Sequence, residues 1–253
     1  MGANPVEMPD AVERPPMIEA HGPADAVRRA YDLFSHFYGA LIAPLERRAR
    51  LLGLERAGIR GRDRVLEVAV GPGTTLVEVL RRVDRETVVH GVDLSPRMVS
   101  VTRRRVARAG YANVELRVAD ARRLPFADGT FDVLYDSYML DLIPLAEMAD
   151  VLREFRRVLR PGGRLVLVNL SKREARIRSW AERIYELLPR SWVPYLMGSC
   201  RPVPMSGALA QAGFEVGPRE FVPGPFPAEV VTAVKPSGAA AATAGRGAPT
   251  WTS

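Results

Sequence analysis

The residues best suited to chemistry lie around one glycine turn. In "VLEVAVGPGTT" an apolar run carries a single acid, Glu67, and breaks into Gly71-Pro72-Gly73, followed by Thr74. Glycines at such a break let the backbone turn sharply and approach a ligand where Cβ atoms would intrude. Asp93 closes the next apolar run in "HGVDLSP", 20 residues past Gly73, and Asp120 closes a third in "VADARRLPF". A carboxylate at the first place can accept hydrogen bonds from both hydroxyls of a ribose. One at the second can accept from an exocyclic amine such as that of adenine. Either aspartate alone reads as well as a loop or helix cap. The glycine turn and both aspartates, on successive strand ends, read as a nucleoside site.

Such residues need strands and helices in alternation to hold them. Residues 64–70, 87–93, 114–120, 131–137 and 163–170 are short β-type apolar runs. Helical periodicity covers 74–83, 95–110 and 145–159, with Ser95 as N-cap, Pro96 at the first helical position and "RPGG" as the stop after the last. Residues 26–53 read as a further helix on which Tyr31, Phe34, Phe37 and Tyr38 cluster. Alternation of this kind implies right-handed βαβ units and a parallel sheet. Ligands then sit beyond the carboxyl ends of the strands, where the first glycine loop lies. The quick reversal in "FVPGPFPAEVVTAVKP" predicts an antiparallel hairpin at the end. The domain is expected over 23–235, between disordered segments at 1–22 and 236–253, and 172–204 stands out as an insertion that caps the substrate site.

Composition narrows the class. The chain of 253 residues is 47% hydrophobic and 26% charged, which suits one globular domain. No apolar run reaches the roughly 18 residues of a membrane span, and the N-terminus has no secretory pattern, so a cytoplasmic location is expected. Cys200 is the single cysteine, which excludes an internal disulfide framework and a multi-cysteine metal site. His21, His36 and His90 are scattered, and no metal is expected. The net charge is +7, and arginine supplies all the basic residues except Lys172 and Lys235. That fits a bias toward arginine, or a basic face for anionic lipid or an acidic substrate. Nucleic acid is not expected, since no zinc finger or aromatic-and-basic RNA motif is present.

Two positions choose among nucleotides. A dinucleotide fingerprint wants a third glycine three residues after Gly73, but Leu76 stands there. Glu67 would repel a phosphate and suits a cationic amino group. The favoured ligand is an adenosine with a cationic, phosphate-free tail, which S-adenosyl-L-methionine satisfies.

At this point "VLEVAVGPGTT", "HGVDLSPRMV", "VADARRLPFADGTFDVLYDSYML" and "LREFRRVLRPGGRLVLVNLSK" together resemble the ordered motifs of class I S-adenosylmethionine-dependent methyltransferases. The likeness spans about residues 25–235. Within the class the chain is most similar to the ubiquinone/menaquinone-biosynthesis C-methyltransferase group, which shares Ala69 in "EVAVGPG". It is similar also to bacterial phosphatidylethanolamine N-methyltransferases, which share an aromatic N-terminal helix. The fold implied is α/β and Rossmann-like: a mostly parallel seven-stranded sheet with an antiparallel last hairpin and helices on both faces. The resemblance implies that Glu67, Ala69, Gly71, Gly73 and Thr74 hold the methionine end, that Asp93, Leu94 and Met98 surround the ribose, and that Asp120 and Ala121 hold adenine. Tyr38 would cover the cofactor and Asp136 would border it. The sequence departs from the quinone enzymes where their fourth-strand loop reads close to "FGLRNV"; here it is "DSYMLDLIP".

Methyl transfer from a sulfonium is an in-line displacement. The carbon is already activated, so the protein must supply alignment and exclusion of water. S-adenosyl-L-homocysteine is the product. Where the acceptor loses a proton, the candidate bases are His36, Asp136, Tyr138 and Asn169. The acceptor expected is small and lipophilic or aromatic, quinol- or phenol-like, methylated on carbon or oxygen. The alternative is phosphatidylethanolamine N-methylation at a membrane surface, with 172–197 resting on anionic lipid through its arginines and aromatics. A remoter alternative is an NAD-binding oxidoreductase.

Overall fold

The computed structural model describes residues 43–170, 205–224 and 227–237. The expected disordered end 1–22, most of the expected tail 236–253, the aromatic cluster with His36 and Tyr38, and the insertion 172–204 with Cys200 lie outside the described residues.

The described part opens with α1 (Ala43–Ala57). It runs four residues past Gly53, where the expected helix stopped. Gly53 is a contact point rather than a terminator: a Cβ there would stand 2.7 Å from Val168 Cγ2 and 2.9 Å from Tyr135 Oη. Its bareness lets the helix lie directly on the sheet, and the turn waits for Gly58, whose φ is +53°.

The remaining elements alternate. They are β1 (Val65–Val68), α2 (Thr74–Leu80), β2 (Val89–Asp93), α3 (Pro96–Arg108), β3 (Val114–Val118), β4 (Phe131–Ser137), α4 (Leu145–Val158), β5 (Leu159–Leu170), α5 (Met205–Gln211), β6 (Glu215–Val222) and β7 (Ala228–Val234). The seven strands lie in the order β3-β2-β1-β4-β5-β7-β6. Strands β1 to β5 pair in parallel, and β7 pairs antiparallel with both β5 and β6. The expected sheet and closing hairpin are both present. Helix α3 starts as its sequence dictates, with the Ser95 side chain accepting from Met98 N–H and Pro96 at its first position.

The sheet is buried on both faces. Leu66, Leu134, Leu165 and Leu167 point toward α4 and α5, where Leu152, Phe155 and Leu209 meet them. Their neighbours Val65, Val133, Tyr135, Val166 and Val168 point toward α1 and α2, against Ala49, Leu54, Leu76 and Leu80. The period-2 alternation of strand side chains thus feeds two apolar layers at once, as parallel strands require. The strand order reverses between β1 and β4, so the crevice opens at the carboxyl ends of β1, β2 and β4.

Candidate functional site

The glycine loop is tied down from three sides. Gly73 N–H donates to Val70 O at 2.9 Å, closing the turn. Gly71 N–H donates to the Asp93 carboxylate at 2.8 Å. Thr102 on α3 donates its hydroxyl to Gly71 O at 2.7 Å. Gly73 has φ +77°, and a Cβ there would lie 2.7 Å from Thr102 Cγ2. Thr102 is therefore part of the loop's support, and sequence reasoning missed it. The available signal was a polar residue within the apolar stripe Met98, Val99, Thr102, Val106.

Ala69 also sits in the left-handed region, at φ +54°. A residue with a Cβ pays about 1–2 kcal/mol there. That cost gives the physical reason why glycine suits the position.

Asp93 is the hub of the loop. One oxygen accepts from Gly71 and the other from Ser95 N–H at 2.9 Å. The two bonds fix the carboxylate's direction, and a carboxylate with about four acceptor sites keeps capacity for a ribose diol.

Asp120 is held differently. It pairs with the Arg122 guanidinium, which also reaches Glu147 at 2.6 Å. The Arg122 side chain holds the Asp120 carboxyl below its usual range. Arg122 and Glu147 were not expected from the sequence, although "DARR" carried the first.

Glu67 is 1% exposed, and its Oε2 has no hydrogen-bond partner. Burial pushes its carboxyl well up, against the pull of the Arg50 charge. An acid left in this condition is suited to an incoming cation.

These residues line one cleft with a cavity volume of about 180 Å³. Of the expected cofactor residues, Glu67, Ala69, Gly71, Thr74, Asp93, Leu94, Met98, Asp120 and Ala121 are on its wall. Gly73 and Asp136 are not. Gly73 works from behind, as the contact with α3. Arg50 from α1 is on the wall and was not foreseen, while beyond Tyr138 the wall continues through Met139, Leu142, Ile143 and Pro144.

The expected bases are spread unevenly. Tyr138 lines the cleft at φ +58°, its N–H donating to Val168 O at 2.7 Å. Asp136 and Asn169 are fully buried off the cleft wall, and neither side chain has a hydrogen-bond partner among the described residues. The amides of Leu140 and Ser137 approach Asp136 without reaching hydrogen-bond geometry, and burial pushes its carboxyl up to about 8. Register puts Asp136 opposite Leu167, two residues before Asn169, so both side chains share the α4 face. Asp141 accepts from Leu170 N–H at 2.8 Å and so secures the end of β5.

Leu76 occupies the place of a dinucleotide fingerprint's third glycine. It is fully buried and packs toward Gly91, whose added Cβ would be 3.4 Å from Leu76 Cδ2. The side chain holds helix and strand apart where a fingerprint glycine lets them approach closely.

Comparisons with known proteins agree with this geometry. The family described as "Methyltransferase domain" matches residues 65–163. The chain is 31% identical over 208 residues to the ubiquinone/menaquinone biosynthesis C-methyltransferase UbiE of Teredinibacter turnerae, covering 75% of this chain and 80% of that protein. It is 31% identical to the UbiE of Azotobacter vinelandii, with coverage of 75% and 79%. Among solved structures, the N-methyltransferase NodS of Bradyrhizobium japonicum, in complex with S-adenosyl-L-homocysteine, aligns with a TM-score of 0.66. Its identity is 14%, over 84% of this chain and 100% of that one. The [4+2]-cyclase SpnF aligns at 0.61 with 23% identity, over 75% of this chain and 80% of that one. These two likenesses concern the fold, and a cyclase among them shows how widely the chemistry built on it ranges.

Proposed function

The chain belongs to the class I S-adenosylmethionine-dependent methyltransferases, and from that premise we propose that its cleft binds S-adenosyl-L-methionine and methylates a small lipophilic or aromatic acceptor. The observation that carries the cofactor is the pair Glu67 and Asp93 on one wall, a buried acid with one oxygen unpartnered among the described residues and a braced one. Glu67 would take the α-amino group. Asp93 would take the ribose hydroxyls, and Asp120 with Ala121 the adenine edge. Leu94 and Met98 would pack around the ribose.

When bound, the sulfonium supplies an activated methyl carbon. The protein's part is to align the acceptor and keep water out. Met139, Leu142, Ile143 and Pro144 give an apolar approach that suits a ring or an acyl chain. Where the acceptor loses a proton, Tyr138 is the candidate on the wall. Asp136 and Asn169 are candidates buried off the wall, and His36 is one outside the described residues. Asp136, raised to about 8, holds its proton at neutral pH and becomes able to accept one as pH rises toward 8.

A quinol- or phenol-like acceptor, methylated on carbon or oxygen, has the support of the curated relatives' names. Phosphatidylethanolamine N-methylation is the second reading. The observation favouring it is the exposed group Arg103, Arg104, Arg105 and Arg108 on α3, which makes no ion pair among the described residues. Such a face suits an anionic membrane surface.

Calorimetry tests the cofactor. S-adenosyl-L-homocysteine should bind and NAD should not, and the reverse would sink the reading. A tritiated-methyl assay over quinol, phenol, amine and phospholipid acceptors tests the substrate. Transfer to the quinol or phenol members is expected, and transfer to phosphatidylethanolamine alone would favour the second reading.

A further inference from the structure

The sheet has an outer strand at each side, and the two are built differently. Strand β6 is guarded against further pairing. Its Pro218 has no N–H, and its register with β7 shifts between Val216 and Arg219. Strand β3 has no proline and pairs with β2 in unbroken register from Val114 to Val118. Val118 at its end is 52% exposed.

The ladder shows which groups β3 leaves open. Val89 N–H donates to Asn113 O at 3.0 Å, and Ala119 N–H donates to Asp93 O at 3.0 Å. The residues of a strand turn their backbone groups alternately to its two sides. Glu115 and Arg117 therefore bond toward β2. Val114, Leu116 and Val118 aim N–H and C=O away from the sheet.

The strand reads Val-Glu-Leu-Arg-Val, symmetric about Leu116 in apolar residues and opposite in charge. An antiparallel pair of such strands, related by a two-fold axis at Leu116, sets Leu116 against Leu116 and Val114 against Val118. Those are the residues with open backbone groups, so each meeting is a hydrogen-bonded pair. Between them Glu115 of one copy stands opposite Arg117 of the other, in the closer, non-hydrogen-bonded pairs. Moving the axis one residue either way keeps the ladder in phase but sets Glu115 against Glu115, or Arg117 against Arg117. Backbone phase, apolar pattern and charge thus select the same axis.

We propose that two copies of this chain associate through β3, joining their sheets into one about a two-fold axis at Leu116. Glu115 and Arg117 already pair within their own strand, yet their side chains are 43% and 41% exposed. A carboxylate and a guanidinium each have sites left for a second partner. The axis is perpendicular to the sheet, so both copies of α3 lie on one face, the face of Val114 and Leu116. The exposed arginines of α3 then repel one another, and a dissociation constant of about 10 μM is expected rather than a tight dimer. The pairing ends two residues before Asp120, and it is independent of which ligand the cleft holds.

Sedimentation velocity of the full chain over about 1–200 μM tests this. The wild type should pass from monomer to dimer across that range. Glu115→Arg and Arg117→Glu each place like charges opposite on both sides of the axis, and each should weaken the dimer by about tenfold or more. The double variant E115R/R117E restores opposite charges and should recover it. Circular dichroism checks that each variant is folded. Hydrogen exchange on the wild type needs no variant: the amides of Leu116 and Val118 should exchange more slowly at high concentration than at low. A wild type that stays monomeric at about 200 μM overturns the proposal. So does a dimer that ignores both single swaps, a double variant that stays monomeric, or exchange at these amides that does not change with concentration.

Discussion

The two halves of the cleft are built on opposite plans. Around β1, β2 and α3 the polar groups at the strand ends are largely spoken for. Asp93 holds Gly71 and Ser95, Thr102 holds Gly71 O, and Ser95 caps α3. Around β4 and β5, Asp136 and Asn169 are buried with no partner for any side-chain polar atom among the described residues. In the first half these bonds fix the shape of the loop, although Glu67 Oε2 on β1 has no partner among the described residues. The second keeps unmet hydrogen-bonding capacity, which a fold maintains at a cost of about 1–3 kcal/mol per group. On the proposed function, the difference separates a braced methyl-donor side from an acceptor side with unmet polar groups.

That contrast can be broken most forcefully at Gly73. Gly73→Val would push a branched side chain into Thr102 at a left-handed φ. We expect a loss of about 3 kcal/mol, combining overpacking with backbone strain, together with loss of S-adenosyl-L-homocysteine binding. Urea unfolding and calorimetry measure the two. An unchanged midpoint would mean that α3 does not brace the loop.

A pair of aspartates tests the asymmetry itself. Asp93→Ala should weaken S-adenosyl-L-homocysteine by tenfold or more, whereas Asp136→Asn should leave that affinity within about twofold. Equal losses would erase the distinction between the halves. The same pair of regions differs in pH response. Asp136 is raised from 3.8 to about 8 on folding, so the folded state holds its proton more tightly than the unfolded chain. Its contribution is most favourable below pH 4 and declines by about 1.4 kcal/mol per pH unit up to pH 8. Asp136→Asn should remove that decline. His90 on β2 is lowered from 6.5 by burial among Phe126 and Phe131, so its contribution runs the other way, falling as pH drops below 6.5. Denaturation at pH 5, 6.5 and 8 resolves both slopes, and a flat wild-type profile with an unaltered Asp136→Asn profile would contradict the assignment.

Smaller effects sharpen the picture. Thr102→Val should cost about 1 kcal/mol for the lost bond to Gly71 O and lower S-adenosyl-L-homocysteine affinity severalfold. Ala69→Gly should stabilise by less than about 1 kcal/mol, since it relieves a left-handed alanine while loosening the unfolded chain. A destabilised Ala69→Gly would show that the Cβ earns its place by packing.

The legible part of the site was the part encoded locally. The turn at Gly71–Gly73, Asp93 and Asp120 each sit at the end of a strand whose period and boundary are written in a few adjacent residues. Leu76 and Glu67 argue against a pyrophosphate for reasons of size and sign that need no coordinates. Arg50, Thr102, Arg122 and Glu147 escaped because their roles arise from packing between segments far apart in sequence. Arg50 reaches Thr74 across 24 positions, Thr102 reaches Gly71 across 31, and Arg122 reaches Glu147 across 25. Gly53 was taken for the end of a helix, because a glycine that permits close approach and one that stops a helix look identical in the chain.

The sequence by itself therefore determined the βαβ order, the closing hairpin, the glycine turn and the carboxylates at the strand ends. These follow from periodicity and from backbone preferences that act within a few residues. Only the tertiary structure decided which cation acts on Glu67, which helix braces the loop, and that Asp136 and Asn169 are buried without partners among the described residues. Those outcomes depend on how α1 and α3 lie on the sheet and on which groups burial strips of water, and no stretch of chain carries that information alone.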